Sequence, residues 1–307
     1  MRHRLAASGR GRKGRDMSQS IKAMVRRVRA ANASAMTGSG TNAYVLGQGQ
    51  VAVIDPGPDD PAQLAAILAA LAPGEEVTAI LVTHAHLDHS ALAPKLAQIT
   101  GARVYAYGKA EDGRSATMQA LAAAGLAGGG EGIDHGFAPD VILTDGAHLM
   151  VGALSVEAIH TPGHMGGHLC FACEEHLFSG DHAMGWATSL VSPPDGDMGA
   201  YMRSLDRLRQ RRWQQMLPGH GETVPDPAAR LTELARHRRM REAEVLAELA
   251  RAPGTAALLA QRIYTNTPAA LLPAASRNVL AHLIDLSDRN MAIPEGPITA
   301  ATQFSAH

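Results

Sequence analysis

Apolar and polar positions change period several times along the chain, and each change predicts an element. Short apolar runs at 43–46 and 51–54 flank a Gly-Gln-Gly-Gln stretch, which predicts a hairpin. Helical spacing over 61–71 stops at Pro73-Gly74. Residues 77–82 form a β-branched run that leads straight into Thr83-His84, and a helix over 90–100 and a strand over 103–106 follow. This rhythm predicts a layered α/β domain. After a helix at 115–126 and a Gly-rich loop come short strands at 141–143, 148–151, 154–159, 169–172 and 175–178. Their close spacing favours a second, mostly antiparallel sheet.

From 228 the pattern becomes almost wholly helical, over 228–250, 256–264 and 277–286. The Pro225-Asp226-Pro227 break marks a boundary there. The division expected is a leader over 1–30, a catalytic domain over 31–227 and a helical domain over 228–307. Residues 1–16 have no apolar periodicity and are expected to be disordered. Their Arg-rich character is compatible with a transit peptide or a nucleic-acid arm. The plainer reading, preferred here, makes Met17 the initiator.

Composition narrows the classes. Hydrophobic residues make up 46% and charged residues 19% of 307, enough for a sizeable core. No apolar run reaches the length of a membrane span. Two cysteines cannot build a disulfide framework, so the expected location is cytoplasmic. Cys170 and Cys173 stand three apart in a predicted strand and should point to opposite faces, which argues against redox or metal use. The first 30 residues carry ten Lys or Arg against one acid. The rest therefore has a net charge of −10, a poor basis for wrapping duplex nucleic acid. Histidine is abundant, at 15, and its positions carry the chemistry.

The densest signal is Thr83-His84-Ala85-His86-Leu87-Asp88-His89, between a buried strand and a helix. Residues two apart on a strand end share a face, so His84 and His86 can grip one metal. Asp88 and His89, where the chain turns, can face a second. Further acids and imidazoles close apolar runs beside glycine: His164 in Thr-Pro-Gly-His, Asp181 in Ser-Gly-Asp, and His220 in Pro-Gly-His-Gly.

In that order these motifs resemble the metallo-β-lactamase superfamily. The similarity includes Gly40-Thr41-Asn42-Ala43-Tyr44 and Ile54-Asp55-Pro56-Gly57 upstream, and Tyr201-Met202-Arg203-Ser204-Leu205 downstream. With Ile263-Tyr264-Thr265-Asn266-Thr267-Pro268, Asn278 and His282 it looks like the β-lactamase-like protein 2 branch. The resemblance implies an αββα sandwich with a small C-terminal winged-helix-like domain capping the groove. It makes His84, His86 and His164 ligands of one metal, and Asp88, His89 and His220 ligands of a second, with Asp181 bridging and Asp55 buttressing. Such ligands suit two Zn2+, with Mn2+ or Fe2+ also compatible.

The implied chemistry is hydrolysis by a metal-bridging hydroxide, with Asp88 and Asp181 at its centre. A small anionic substrate or short single-stranded RNA suits the residual positive charge. Asp181 argues against β-lactam hydrolysis, because true β-lactamases of the superfamily lack the bridging aspartate. The branch implies a ribonuclease-like phosphodiesterase, which is preferred by a modest margin over glyoxalase II-type thioester hydrolysis. His168 matches a histidine of that branch that could bind a phosphate or protonate a leaving group. A metal-sensing DNA-binding regulator is the distant rival, since no ligand is missing and 277–286 holds one Arg and one Asp. The basic run Arg236, His237, Arg238, Arg239, Arg241 is interleaved with glutamates and reads as a solvated helix face.

Overall fold

The computed structural model describes residues 24–129 and 132–307. Residues 1–23 of the expected leader lie outside them, and the rest of it is part of the fold. Val25–Arg29 is strand β1, paired antiparallel with β2, Asn42–Gln48, at the edge of the first sheet. Its arginines escaped a reading of alternation because ion pairs hold them: Arg26 on Glu75, and Arg27 and Arg29 on Glu222.

The expected hairpin forms between β2 and β3, Gln50–Ile54. Helix α1, Pro61–Ala69, starts where Asp60 accepts from the Ala62 N–H at 2.8 Å and Pro61 opens the first turn. β4, Glu76–Leu81, lies parallel to β3. The single helix expected over 90–100 is two: α2, Leu87–Ser90, and α3, Ala93–Thr100, with Pro94 in the first turn of the second. β5, Arg103–Ala106, adds in parallel, α4 spans Ala116–Ala123, and β6, Val141–Ile142, completes the first sheet. That last strand was expected in the second sheet, but it runs parallel to β5.

The second sheet runs β11-β10-β9-β8-β7, from β7, His148–Val151, through β8, Leu154–His160, β9, Leu169–Cys173, and β10, His176–Gly180. Helix α5, Met198–Arg209, leads to β11, Gln215–Pro218, which joins parallel to β10. The two sheets face each other across Tyr44, Leu46, Ile54 and Leu81 on one side and Val156, Phe171 and Phe178 on the other. Intervening residues turn outward: Val45, Val53 and Ile80 pack under α1 and α3, and Ile159, Cys170 and Leu177 under α5. Period-two alternation thus builds the four layers of an αββα sandwich. Cys170 and Cys173 are free, and they belong to the outer and the inter-sheet core respectively.

Helix α6, Pro227–Arg251, is capped by Asp226. Leu231 and Leu234 in its first half pack into the core under the second sheet, while Val245 and Leu249 join the C-terminal cluster. The boundary expected near 228 therefore falls at the head of a helix shared by both cores. The C-terminal unit adds β12, Gly254–Thr255, α7, Ala256–Ile263, α8, Leu272–Asp288, β13, Ala292–Pro294, and β14, Gln303–Ala306. Its strands pair in the order β12-β14-β13, a small sheet that the helical reading of this region did not contain. No helix among the described residues is long and apolar enough to cross a membrane.

Candidate metal centre

The ligand-type residues gather along one edge of the sandwich, where strands end. His84 and His86 follow β4, His164 follows β8, Asp181 follows β10 and His220 follows β11. Asp88 and His89 lie in the one-turn helix α2. His84, His86 and His164 converge, as do Asp88, His89 and His220, and Asp181 groups with His84 and His89; ligand atoms within each group lie within 4.8 Å of one another.

The inward atoms face each other rather than ordinary hydrogen-bond partners. His84 Nε2 is 2.9 Å from His86 Nδ1, which is 3.2 Å from His164 Nε2. His89 Nε2 and His220 Nε2 approach to 3.3 Å. Asp181 reaches both groups, with Oδ2 at 3.2 Å from His220 Nε2 and 3.9 Å from His164 Nε2, and Oδ1 at 3.5 Å from His89 Nε2.

The far ring nitrogens decide which inward ones carry lone pairs. His164 Nδ1–H donates to the Leu190 carbonyl at 2.6 Å and His220 Nδ1–H to the Gly40 carbonyl at 3.3 Å. Asp55 governs two more. Its Oδ1 accepts from the Thr83 N–H at 2.7 Å, and its Oδ2 accepts from Thr83 Oγ1 at 2.8 Å and His89 Nδ1 at 2.9 Å. Having given its only proton to Asp55, Thr83 Oγ1 can only accept from His84 Nδ1, 2.9 Å away. These partners hold the Nδ1 protons and leave the Nε2 atoms of His84, His89, His164 and His220 as the inward-facing ligand positions. Asp55 does this from a left-handed backbone at φ 48°, uncommon for a residue with a Cβ and found where a site demands it.

Electrostatics divide this donor set. Burial drives the pKa of His84 well below the usual histidine value, and that of His86 down to about 3, so both rings are neutral donors. His89 and His220 go the other way: burial opposes their charge, but Asp88, Asp181 and Asp55 around His89, and Asp181 and Asp88 around His220, outweigh it, so without a cation these two rings hold protons that a bound metal would displace. Asp181 likewise stays ionised despite burial, held by His220 and His89. Buried Asp181 and half-buried Asp88, which accepts from Thr41 Oγ1 at 2.9 Å, face five imidazoles with no Lys or Arg among the described residues in contact, and a pair of divalent ions matches this set.

Gly219 permits the arrangement, since a Cβ there would lie 2.4 Å from Asp181 Oδ1 and 2.7 Å from His89 Cε1. His86, Asp88, His164, Asp181 and His220 floor a cavity of about 340 Å3. Met36, Met184, Trp186, Leu190, Leu271 and Ala275 contribute apolar wall, with Tyr264, Thr267 and Asn278 at the C-terminal side. No Lys or Arg among the described residues lines it.

His168 does not reach this cavity. It is fully buried behind His84, with ring centroids 5.2 Å apart and Nδ1 on Thr161 Oγ1 at 2.9 Å, which corrects the expectation that it meets substrate. The space for its ring exists because Gly180 lacks a Cβ, which would sit 2.7 Å from its Nε2. The basic run needs a second correction: Arg238 is 1% exposed, not solvated. Sequence reasoning also passed over Ser189 and Leu190, whose backbone and hydroxyl contacts carry no residue-type signal.

Residues 36–220 match the Metallo-beta-lactamase superfamily, and residues 255–296 match the Beta-lactamase associated winged helix domain. A Beta-lactamase-like protein 2 homolog from Drosophila melanogaster is 32% identical over 283 residues, covering 85% of this chain and 86% of that protein. An Atrochrysone carboxyl ACP thioesterase from Aspergillus chevalieri is 29% identical over 235 residues, 75% of this chain and 67% of that protein. Among solved structures, a metallo-beta-lactamase family protein from Thermus thermophilus superposes with a TM-score of 0.74 at 24% identity, covering 93% of this chain and 99% of that one.

Proposed function

This chain belongs to the metallo-beta-lactamase superfamily and is a hydrolase of that class, and from that premise we propose that it hydrolyses a small acyl thioester at a dinuclear zinc centre. In this reading His84, His86 and His164 would hold one ion and Asp88, His89 and His220 the other, with Asp181 within reach of both groups. When bound, the ions supply water activation near neutral pH and polarisation of the substrate carbonyl. The protein's own part is to fix donor tautomers through Asp55, Thr83 and the Leu190 and Gly40 carbonyls, and to offer the acyl group an apolar wall.

The observation that carries the choice of bond is the cavity lining. Phosphodiester backbones are held by cationic side chains and backbone donors, and no cation lines this cavity among the described residues. An alkoxide leaving group also needs an acid, and His168, expected in that role, lies buried away from the cavity. A thiol near pKa 8.5 departs as thiolate with little help. The thioesterase named among the relatives supports the same reading. Ribonuclease-like phosphodiester cleavage stands second, favoured by the rings of Trp186 and Tyr264 at the cavity, which could stack bases. The regulator reading is weakened because α8 contributes Ala274, Ala275 and Asn278 to the cavity wall rather than a free recognition face.

The test is zinc-loaded protein assayed against short acyl-pantetheine thioesters, with release of free thiol followed by a colorimetric reagent, and against single-stranded RNA. Thiol release without RNA cleavage supports the proposal. RNA cleavage without thiol release overturns it in favour of the second reading.

A further inference from the structure

Three consecutive residues tie the metal centre to the C-terminal helices. The single Ser189 Oγ proton is shared between the carbonyls of Asp181 and His182, at 2.5 and 2.9 Å. The next carbonyl, of Leu190, accepts from His164 Nδ1 at 2.6 Å. The next N–H, of Val191, donates to Asn278 Oδ1 on α8 at 3.0 Å. Arg238, from the middle of α6, closes the arrangement by donating to the Ser189 carbonyl and, at 3.1 Å, to the same Asn278 oxygen.

This segment has no regular secondary structure, so no helix or strand ladder fixes where its carbonyls point. Side chains from the C-terminal unit do so instead. Arg238 is the unusual member. Its guanidinium is buried, lies 5.1 Å above the Tyr201 ring, and takes carbonyl-type oxygens as its hydrogen-bond partners. A buried cation held without a carboxylate is costly, and its retention is explained if it positions something.

We propose that Arg238 and Asn278 are positioning residues of the metal centre. Together they fix residues 189–191. Through the Leu190 carbonyl they set the tautomer and direction of the His164 ring, and through Ser189 they hold the backbone that carries Asp181. The C-terminal unit is then a working part of the centre, because ligand geometry must hold within about 0.5 Å. The inference rests on His164 and Asp181 being metal ligands, and it is independent of the bond cleaved.

The experiment measures zinc affinity by competition with a chromophoric chelator, together with the visible spectrum of the cobalt(II)-substituted protein. If the wild-type protein binds no metal, the ligand assignment itself fails and this inference with it. With wild-type binding in hand, Asn278→Ala and Arg238→Met are expected to weaken zinc by about 10–100-fold and to alter the cobalt spectrum. Asn278→Asp keeps an oxygen for both donors and is expected to recover most of the affinity. Leu259→Ala, in the C-terminal core, lowers the stability of that unit without touching 189–191 and should leave affinity and spectrum unchanged. Asn278 is only partly buried, so its variants decide the matter even where Arg238→Met fails to fold. Wild-type zinc affinity and cobalt spectrum in folded Asn278→Ala would overturn the proposal, as would an equal loss in Leu259→Ala.

Discussion

Asp55→Asn tests how the centre is set, because it changes one atom and leaves the volume intact. Asparagine tolerates the left-handed backbone at this position, so no strain is added. The new Oδ1 still accepts from the Thr83 N–H, but an NH2 now replaces the oxygen that took protons from Thr83 Oγ1 and His89 Nδ1. Thr83 can turn its hydroxyl to accept from that NH2. Its proton then points at His84 Nδ1, which must become an acceptor and carry its own proton on Nε2. His89 loses its acceptor as well, and moving its proton to Nε2 is the simplest escape. One substitution thus reverses the tautomers of two inward-facing imidazoles, one in each group. A partner that orients a metal-bound histidine is typically worth about 10–100-fold in affinity, so the pair predicts a loss of about 100-fold or more. Stability without metal should fall less, by about 0.5–1.5 kcal/mol against the roughly 2.7 kcal/mol that 100-fold represents, since both rings re-pair after the switch. Chelator competition measures the first quantity and urea unfolding of the metal-stripped protein the second. Asp55→Asn protein that binds both ions within about threefold of wild type would refute the tautomer argument.

Asp181→Ala should abolish turnover while the metal-stripped protein stays folded, as judged by far-ultraviolet circular dichroism, and retained turnover would sink the bridging role. Gly219→Ala puts a methyl against Asp181 Oδ1 and His89 Cε1, and should lower metal content in the purified protein more than it lowers the unfolding midpoint. His282 is buried in α8 and its pKa is pushed down to about 3, first by burial and then by the charge of Arg238. The unfolded chain takes a proton there near pH 6.5 while the folded protein does not, so stability falls as pH drops below that value. At pH 5 this group alone should remove about 2 kcal/mol relative to pH 7. His282→Leu should therefore flatten the pH dependence of urea unfolding between pH 7 and pH 5, and an unchanged slope would show that His282 titrates normally in the folded state.

The parts of this molecule that were legible in the sequence share one property: the signal is local. His84, His86, Asp88 and His89 sit at a strand end within six residues, and His164, Asp181 and His220 each close an apolar run beside glycine. A strand that alternates buried faces must end at the sheet edge, so its polar terminus is placed there by period alone. What failed depended on partners distant in sequence. Strand β1 reads as a charged segment because Glu75 and Glu222, which neutralise it, lie 49 and about 195 residues away. Arg238 looks like one cation in a solvated run, and only the packing of α6 against α5 and α8 buries it. His168 looks available until Gly180 is seen to open a space for its ring in the interior. The strands β12 and β13 are two and three residues long, too short for a period to register.

The two walls of the cavity differ in a way that bears on how specificity can change. On one side Trp186 rests its indole against Gly38 and Gly221, where a Cβ would approach the ring to 3.1 Å and 2.5 Å. That contact is steric, and Trp186 is not among the hydrogen-bond partners that orient the ligand-type histidines, so its side chain can be resized without breaking them. On the other side Asn278 lines the cavity and also holds Val191 and Arg238. A change there that admits a larger ligand also removes a contact to the segment whose Leu190 carbonyl accepts from His164. If Asn278 positions the centre as proposed, the Trp186 wall can change shape at little cost to the ligand-type residues, whereas variation at Asn278 is tied to them. A cap built only to exclude solvent would show no such difference between its two sides.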